Sequence, residues 1–309
     1  MKELIIKLDQ IRRENVSLAG GKGANLGELL GQGFPVPPGF VVTAPAYEAF
    51  FRRLNLNEEV KGLNRLTSAE LEQRCSGIRR MIDESELPVD LAAAIMSAHA
   101  ELESAHGRDI VCAVRSSATA EDLGEASFAG QHETYYYVQD DQLLKMIKKC
   151  WASLWNPEAV SYRNSQGIEH TSVNMAVVVQ EMILSEVSGV TFTANPVTGS
   201  RDEIVTESSW GMGAAIVDGR VTPDHWVMSR DGLKIREKRI ACKRLMVPPI
   251  LSENSPERLV EVPYELRQKE TLSPESARVT AEWALKAEKH FGSPQDVEWA
   301  ITGGRYYML

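Results

Sequence analysis

The chain has 309 residues, 43% of them hydrophobic and 25% charged, and a formal net charge of −9. That length accommodates roughly two domains, each able to bury a core. The acidic balance argues against bulk binding to nucleic acid or to an anionic membrane, yet it permits a small anion held in a local pocket of lysine and arginine. Cys75, Cys112, Cys150 and Cys242 make no C-x-x-C pair and no zinc or redox motif. Met1-Lys2-Glu3-Leu4 lacks the apolar core of a signal peptide, and no apolar run is long enough to cross a bilayer. A reduced, cytoplasmic setting is therefore expected.

In chain order, Leu4 to Leu8 reads as a short strand, and Ala24 to Leu30 as a helix closed by Gly31 and Gly33. Val36-Pro37-Pro38-Gly39 is a rigid turn feeding a buried strand from Phe40 to Thr43. Residues from about Ala46 to His106 read as mostly helical, with Pro88 opening the last helix. Ile110 to Val114 and Thr134 to Val138 are strand candidates. Asp141 to Leu154 is amphipathic, with Leu144, Ile147, Trp151 and Leu154 at helical spacing, and a second helix follows Pro157. Met175 to Val179 is an apolar strand ending at Gln180-Glu181, with a subdomain boundary placed soon after, at 185/186.

The second part reads as richer in strands: Val187 to Thr193, Glu203 to Thr206, Trp226 to Ser229 and Leu233 to Ile240. Asp231-Gly232 is a hairpin signal. Leu245 to Glu270 is polar and punctuated by proline, so it reads as a connection. Ser273 caps a helix with Pro274 at its first position and Gly292 as its stop, and Val279, Trp283, Ala287 and Phe291 are expected along one face. A final hairpin runs from Val297 to Ile301 and from Tyr306 to Leu309 around Gly303-Gly304.

Four groups could do chemistry. Gly20-Gly21-Lys22-Gly23 places one cation among glycines where a helical pattern begins, which favours phosphate. It is not a Walker loop, because Gly23 follows the lysine. Val111 to Thr119 is a buried strand running into Arg115, Ser116 and Ser117, groups suited to phosphate; the alternative reading pairs Arg115 with Glu121 or Asp122. Ser127 to Thr134 reads either as a flap over a polyphosphate or as an ordinary loop. At the far end, Asp296 and Glu298 share one face of a strand while Val297 and Trp299 face the core. Such a pair is either a solvated acidic edge or a site for a hard divalent cation. The six histidines are scattered and form neither a catalytic triad nor a metal spacing.

Taken together, Gly20 to Gly27, Val36 to Phe40, Val114 to Asp122, Ser127 to Thr134, Val187 to Pro196 and Pro294 to Trp299 resemble the N-terminal domain shared by phosphoenolpyruvate synthase, pyruvate phosphate dikinase and rifampicin phosphotransferase. The resemblance covers essentially the whole chain. It implies an α+β, ATP-grasp-like fold: subdomains 1–185 (with the helical insertion) and 186–309, and Mg-ATP in the cleft between them. By matching motif, Lys22 and Arg115 would contact ATP phosphates, Gly130 and Thr134 would belong to a phosphate-covering loop, and Gln180 would lie near the adenine or ribose. Asp296 and Glu298 would hold magnesium, with Glu207 a further candidate.

The family continues after the last strand with Gln-Ser-Arg-Pro, whose Gln and Arg help hold Mg-ATP. This sequence reaches Leu309 where that motif would begin, as a shortened chain or a stand-alone one with an incomplete site. No histidine here has the setting of the family's phosphohistidine, so a swivelling relay domain and an acceptor-binding domain are expected as partners, on the same full-length chain or another subunit. The implied activity is ATP-dependent phosphotransfer of the β-phosphoryl to that histidine, then to an acceptor such as pyruvate, a phenol or rifampicin. An ATP-grasp ligase forming an acyl phosphate and a non-catalytic nucleotide-binding subunit are the alternatives.

Overall fold

The computed structural model describes residues 3–107, 109–119, 133–249 and 258–309, with the backbone only at Asn57. They form two compact units, one of residues 1–32 and 38–182 and the other of residues 33–37 and 183–309. The helices and sheets of both make a mixed α and β architecture. Residues 33–37 go with the second unit because Phe34 packs under Lys286 and the Pro35 carbonyl accepts from the Met308 amide. A division read along the sequence has no means of seeing this pairing.

The first unit is built on an antiparallel sheet of order β1-β2-β5-β3-β4. Its strands are β1 (Ile5–Lys7), β2 (Gly39–Val42), β3 (Cys112–Ala118), β4 (Thr134–Val138) and β5 (Met175–Glu181). Helix α1 (Val16–Gly31) lies on one face, where a Cβ at Gly23 would meet Val41 and Val178. On the other face pack α2 (Ala44–Arg53), α3 (Asn57–Val60), α4 (Ser68–Glu84), α5 (Val89–His106), α6 (Asp140–Ser153) and α7 (Pro157–Gln166). Their core joins Phe40, Val114 and Val177 of the sheet to Phe50, Ile95 and Trp151 of the helices. Alternation along each strand explains the two faces: Val177 and Val179 point to the helical layer, Val178 and Gln180 to α1.

Local signals set the helix ends. Thr67 and Glu70 form a reciprocal cap at the start of α4, with the Thr67 amide donating to Glu70 Oε2 at 2.9 Å. Pro157 sits in the first turn of α7, and Gly167 ends it in the left-handed conformation.

The second unit has a six-stranded antiparallel sheet of order β13-β12-β6-β7-β8-β9. These strands are β6 (Val187–Phe192), β7 (Glu203–Trp210), β8 (Asp224–Ser229), β9 (Ile235–Arg239), β12 (Asp296–Thr302) and β13 (Arg305–Met308). The unit also holds a one-turn helix, α8 (Ala214–Val217), and an antiparallel pair of two-residue strands, β10 (Leu245–Met246) and β11 (Val260–Glu261). Helix α9 (Pro274–Phe291) covers one sheet face through Ala277 and Ala281 against Ile204, Trp226 and Trp299. Gly189 is required there, because a Cβ would lie 2.3 Å from the Trp299 ring.

Several expectations need correction. Helix α1 starts at Val16, and its two halves meet at Gly20, whose φ of 68° breaks the helix. Arg115 lies in the middle of β3, since that strand runs to Ala118. The buried line of α9 is Ala277, Thr280, Ala281, Ala284 and Ala287. Of the expected face only Ala287 belongs to it; Trp283 is half-buried and packs edge-on against Tyr306. In α6 Leu143, and not Leu144, is the buried leucine. The stretch expected as a plain connection holds β10, β11 and a short turn at Tyr264–Leu266.

Candidate functional site

In the first unit the kink at Gly20 presents the glycine-flanked lysine to the sheet. With φ at 68°, Gly20 backs onto Ser117, and a Cβ there would stand 2.2 Å from the Ser117 carbonyl oxygen. Ser117 Oγ donates to the Ala19 carbonyl at 2.8 Å and accepts from the Gly23 amide at 3.1 Å. One hydroxyl thus ties together both halves of α1. The tie positions Lys22, whose ammonium donates to the Ser116 carbonyl at 3.2 Å.

Pairing across β3 collects the other groups. Arg115 stands opposite Thr134 on β4 and Val178 on β5, and Ala113 stands opposite Gln180. Directly paired residues, and those two apart on one strand, share a face. Arg115, Thr134 and Gln180 therefore occupy the α1 face, with Lys22 at its edge. Gln180 is 2% exposed, whereas Lys22, Arg115 and Thr134 are half-buried. Such a half-buried set of one ammonium, one guanidinium and one hydroxyl is suited to an anion with several oxygens. Glu133, just before Thr134, accepts from Tyr135 and from Asn156. Gly130, Glu121 and Asp122 lie outside the described residues.

In the second unit β12 pairs Glu298 with Val190, β7 pairs Glu207 with the same Val190, and β8 pairs His225 with Glu207. These four residues form one row across the sheet, on the face opposite Trp299, Trp226 and α9. Glu298 and Glu207 are two strands apart, roughly 10 Å at the backbone. Asp296, two residues before Glu298, shares the face and stands opposite Phe192. Its pKa is raised because neighbouring protein displaces water from the carboxyl. Glu207 Oε1 lies 3.2 Å from His225 Nδ1. The donors are carboxylate oxygens, the ligand type that magnesium takes. Asp296, Glu298 and Glu207 thus fit a hard divalent cation by donor chemistry.

Sequence spacing found the Asp296 and Glu298 pair but not the row, which depends on the register of three strands. It also missed His225, whose only signal is a pairing partner 18 residues away. Ser117 was noted as a hydroxyl, but its role in joining the halves of α1 was not.

Residues 16–309 match the family described as the pyruvate phosphate dikinase AMP/ATP-binding domain. Over 313 residues the chain is 42% identical to a probable phosphoenolpyruvate synthase of Methanocaldococcus jannaschii, a match covering 99% of this chain and 26% of that protein. It is 42% identical over 316 residues to a probable phosphoenolpyruvate synthase of Methanothermobacter thermautotrophicus, covering 100% of this chain and 46% of that protein. With the phosphoenolpyruvate synthase of Pyrococcus furiosus the identity is 40% over 345 residues, covering 97% of this chain and 42% of that protein. The chain thus spans from about a quarter to under half of these relatives. By the breadth of the family match, this chain belongs to the pyruvate phosphate dikinase AMP/ATP-binding domain family.

Proposed function

We propose that the chain is the Mg-ATP-binding part of a dikinase-type phosphotransferase. The observation that carries this reading is the gathering of Lys22, Arg115 and Thr134 on one sheet face, with Lys22 fixed on the Ser116 carbonyl. In the proposed complex these groups take the ATP phosphates. Gln180, on the same face, serves the adenine or ribose. The expected ATP-grasp arrangement, with two subdomains around a nucleotide cleft, is part of the proposal. So is the assignment of Asp296, Glu298 and Glu207 to the metal.

The chemistry asked of these residues is charge stabilisation and alignment. Lys22 and Arg115 supply fixed positive charge where negative charge builds on the transferring phosphoryl group. The Thr134 hydroxyl adds a neutral donor opposite Arg115. Magnesium, when bound, neutralises further phosphate charge. No side chain of this chain acts as nucleophile in the proposed reaction. The β-phosphoryl goes to a histidine on a swivelling domain and then to a small acceptor on a third domain, with AMP and phosphate released.

Nucleotide product analysis on this chain together with its relay and acceptor domains, whether on one polypeptide or on another subunit, tests the proposal. AMP with phosphate is expected. ADP as the sole nucleotide product would instead indicate an acyl-phosphate ligase and would overturn it.

A further inference from the structure

We propose a second metal site, for a divalent transition ion of the zinc class, formed by His99, Glu103 and Asp140 between α5 and α6. One ligand atom from each lies within 4.8 Å of the others. His99 and Glu103 stand four residues apart on α5, hence on one face of that helix. Asp140 is the first residue of α6. The site is in the helical layer, where Ile95 and Leu102 of α5 pack with Leu143 of α6. That layer lies on the sheet face opposite α1, so the site is independent of the nucleotide reading.

The decisive observation is the imidazole. His99 is 1% exposed, and its Nε2 is buried without a hydrogen-bond partner. Nδ1 points at Glu103 Oε2 and Asp140 Oδ1 from 3.8 and 3.6 Å, beyond hydrogen-bonding range. A buried imidazole nitrogen facing two carboxylate oxygens, with no hydrogen bond closing either gap, leaves an ion-sized position among the three groups. Ligand atoms around a tetrahedral zinc stand about 3.4 Å apart, so the observed spacings need only small side-chain rotations to close. Glu103 is already oriented for this: its Oε1 accepts from the Ile110 amide at 3.2 Å, leaving Oε2 toward His99. The Asp140 side chain is 58% exposed and gives an ion its way in. One imidazole with two carboxylates selects a transition ion over magnesium or calcium, and solvent completes the coordination.

The test uses Co2+ as probe on the metal-stripped chain without nucleotide. Visible ligand-field absorption, calorimetry and thermal melting report binding. One equivalent is expected to bind, raise the melting temperature, and show no thiolate charge-transfer band. His99→Gln and Asp140→Asn are each expected to weaken binding at least about tenfold. Asp140 is largely exposed, so Asp140→Asn should melt like the unaltered chain when metal is absent, and it decides the matter even if His99→Gln does not fold. Failure to bind Co2+, unchanged affinity in Asp140→Asn, or a thiolate band would overturn the assignment.

Discussion

The Lys22 ammonium lies 3.2 Å from the Ser116 carbonyl oxygen, next along β3 from Arg115. The lysine reaches that position because the chain turns at Gly20. Its replacement by alanine should weaken Mg-ATP binding by about ten- to a hundredfold, the scale of a charge-assisted hydrogen bond. Lys22 is only half-buried, so the melting temperature should stay close to that of the unaltered chain. Calorimetric titration of both forms checks this, and equal affinities would remove Lys22 from the site.

Glu298→Gln is expected to raise the magnesium concentration needed for half-maximal nucleotide binding at least about tenfold. Asp296→Asn should act more weakly, because Glu298 stands in the row with Glu207 while Asp296 lies outside it, opposite Phe192. Magnesium titrations at fixed nucleotide distinguish the two. An identical magnesium dependence in Glu298→Gln would exclude its carboxylate as a ligand.

Gly20→Ala should destabilise the first unit by about 2–4 kcal/mol, since it combines a strained φ with an impossible contact. The added methyl carbon would meet the Ser117 carbonyl oxygen at 2.2 Å, so α1 must shift. Urea unfolding measures the loss. A variant as stable as the parent would mean that the Gly20 joint is not fixed by Ser117.

His170 is held neutral. Burial is the main cause and the adjacent Arg163 guanidinium the second, and together they lower its pKa from 6.5 to about 4. Arg163 Nε donates to His170 Nδ1 at 3.0 Å, which leaves Nε2 to face Asn164. The folded pKa lies below the unfolded one, so this contribution is complete above about pH 6.5 and is lost progressively down to about pH 4. The loss should be on the order of 2–3 kcal/mol. Stability measured against pH for the parent and for His170→Gln should diverge in that window, the variant showing the flatter profile. Parallel profiles would contradict the assignment.

Features written locally were legible in the sequence. Ser273, Pro274 and Gly292 bound α9, and the tyrosine-rich run at 134–138 is β4, because caps and alternation act over a few residues. The buried face of α9 was misread for a physical reason. A search for large apolar residues picks Trp283 and Phe291, while packing of the helix against Ile204, Trp226 and Trp299 favours alanines. The strand β3 is longer than the apolar run Ile110 to Val114 predicts, because Arg115, Ser116 and Ser117 continue it with polar side chains. In the fold, both serines are buried and hydrogen-bonded. The row of Glu298, Val190, Glu207 and His225 exists only through strand register, which periodicity along one strand does not encode.

The most direct measurement of the central claim is calorimetric titration of ATP into this chain, with and without magnesium. Saturable binding of one ATP per chain, strengthened by magnesium and weakened by Lys22→Ala, is the predicted result. Absence of binding at millimolar nucleotide with magnesium present would contradict it.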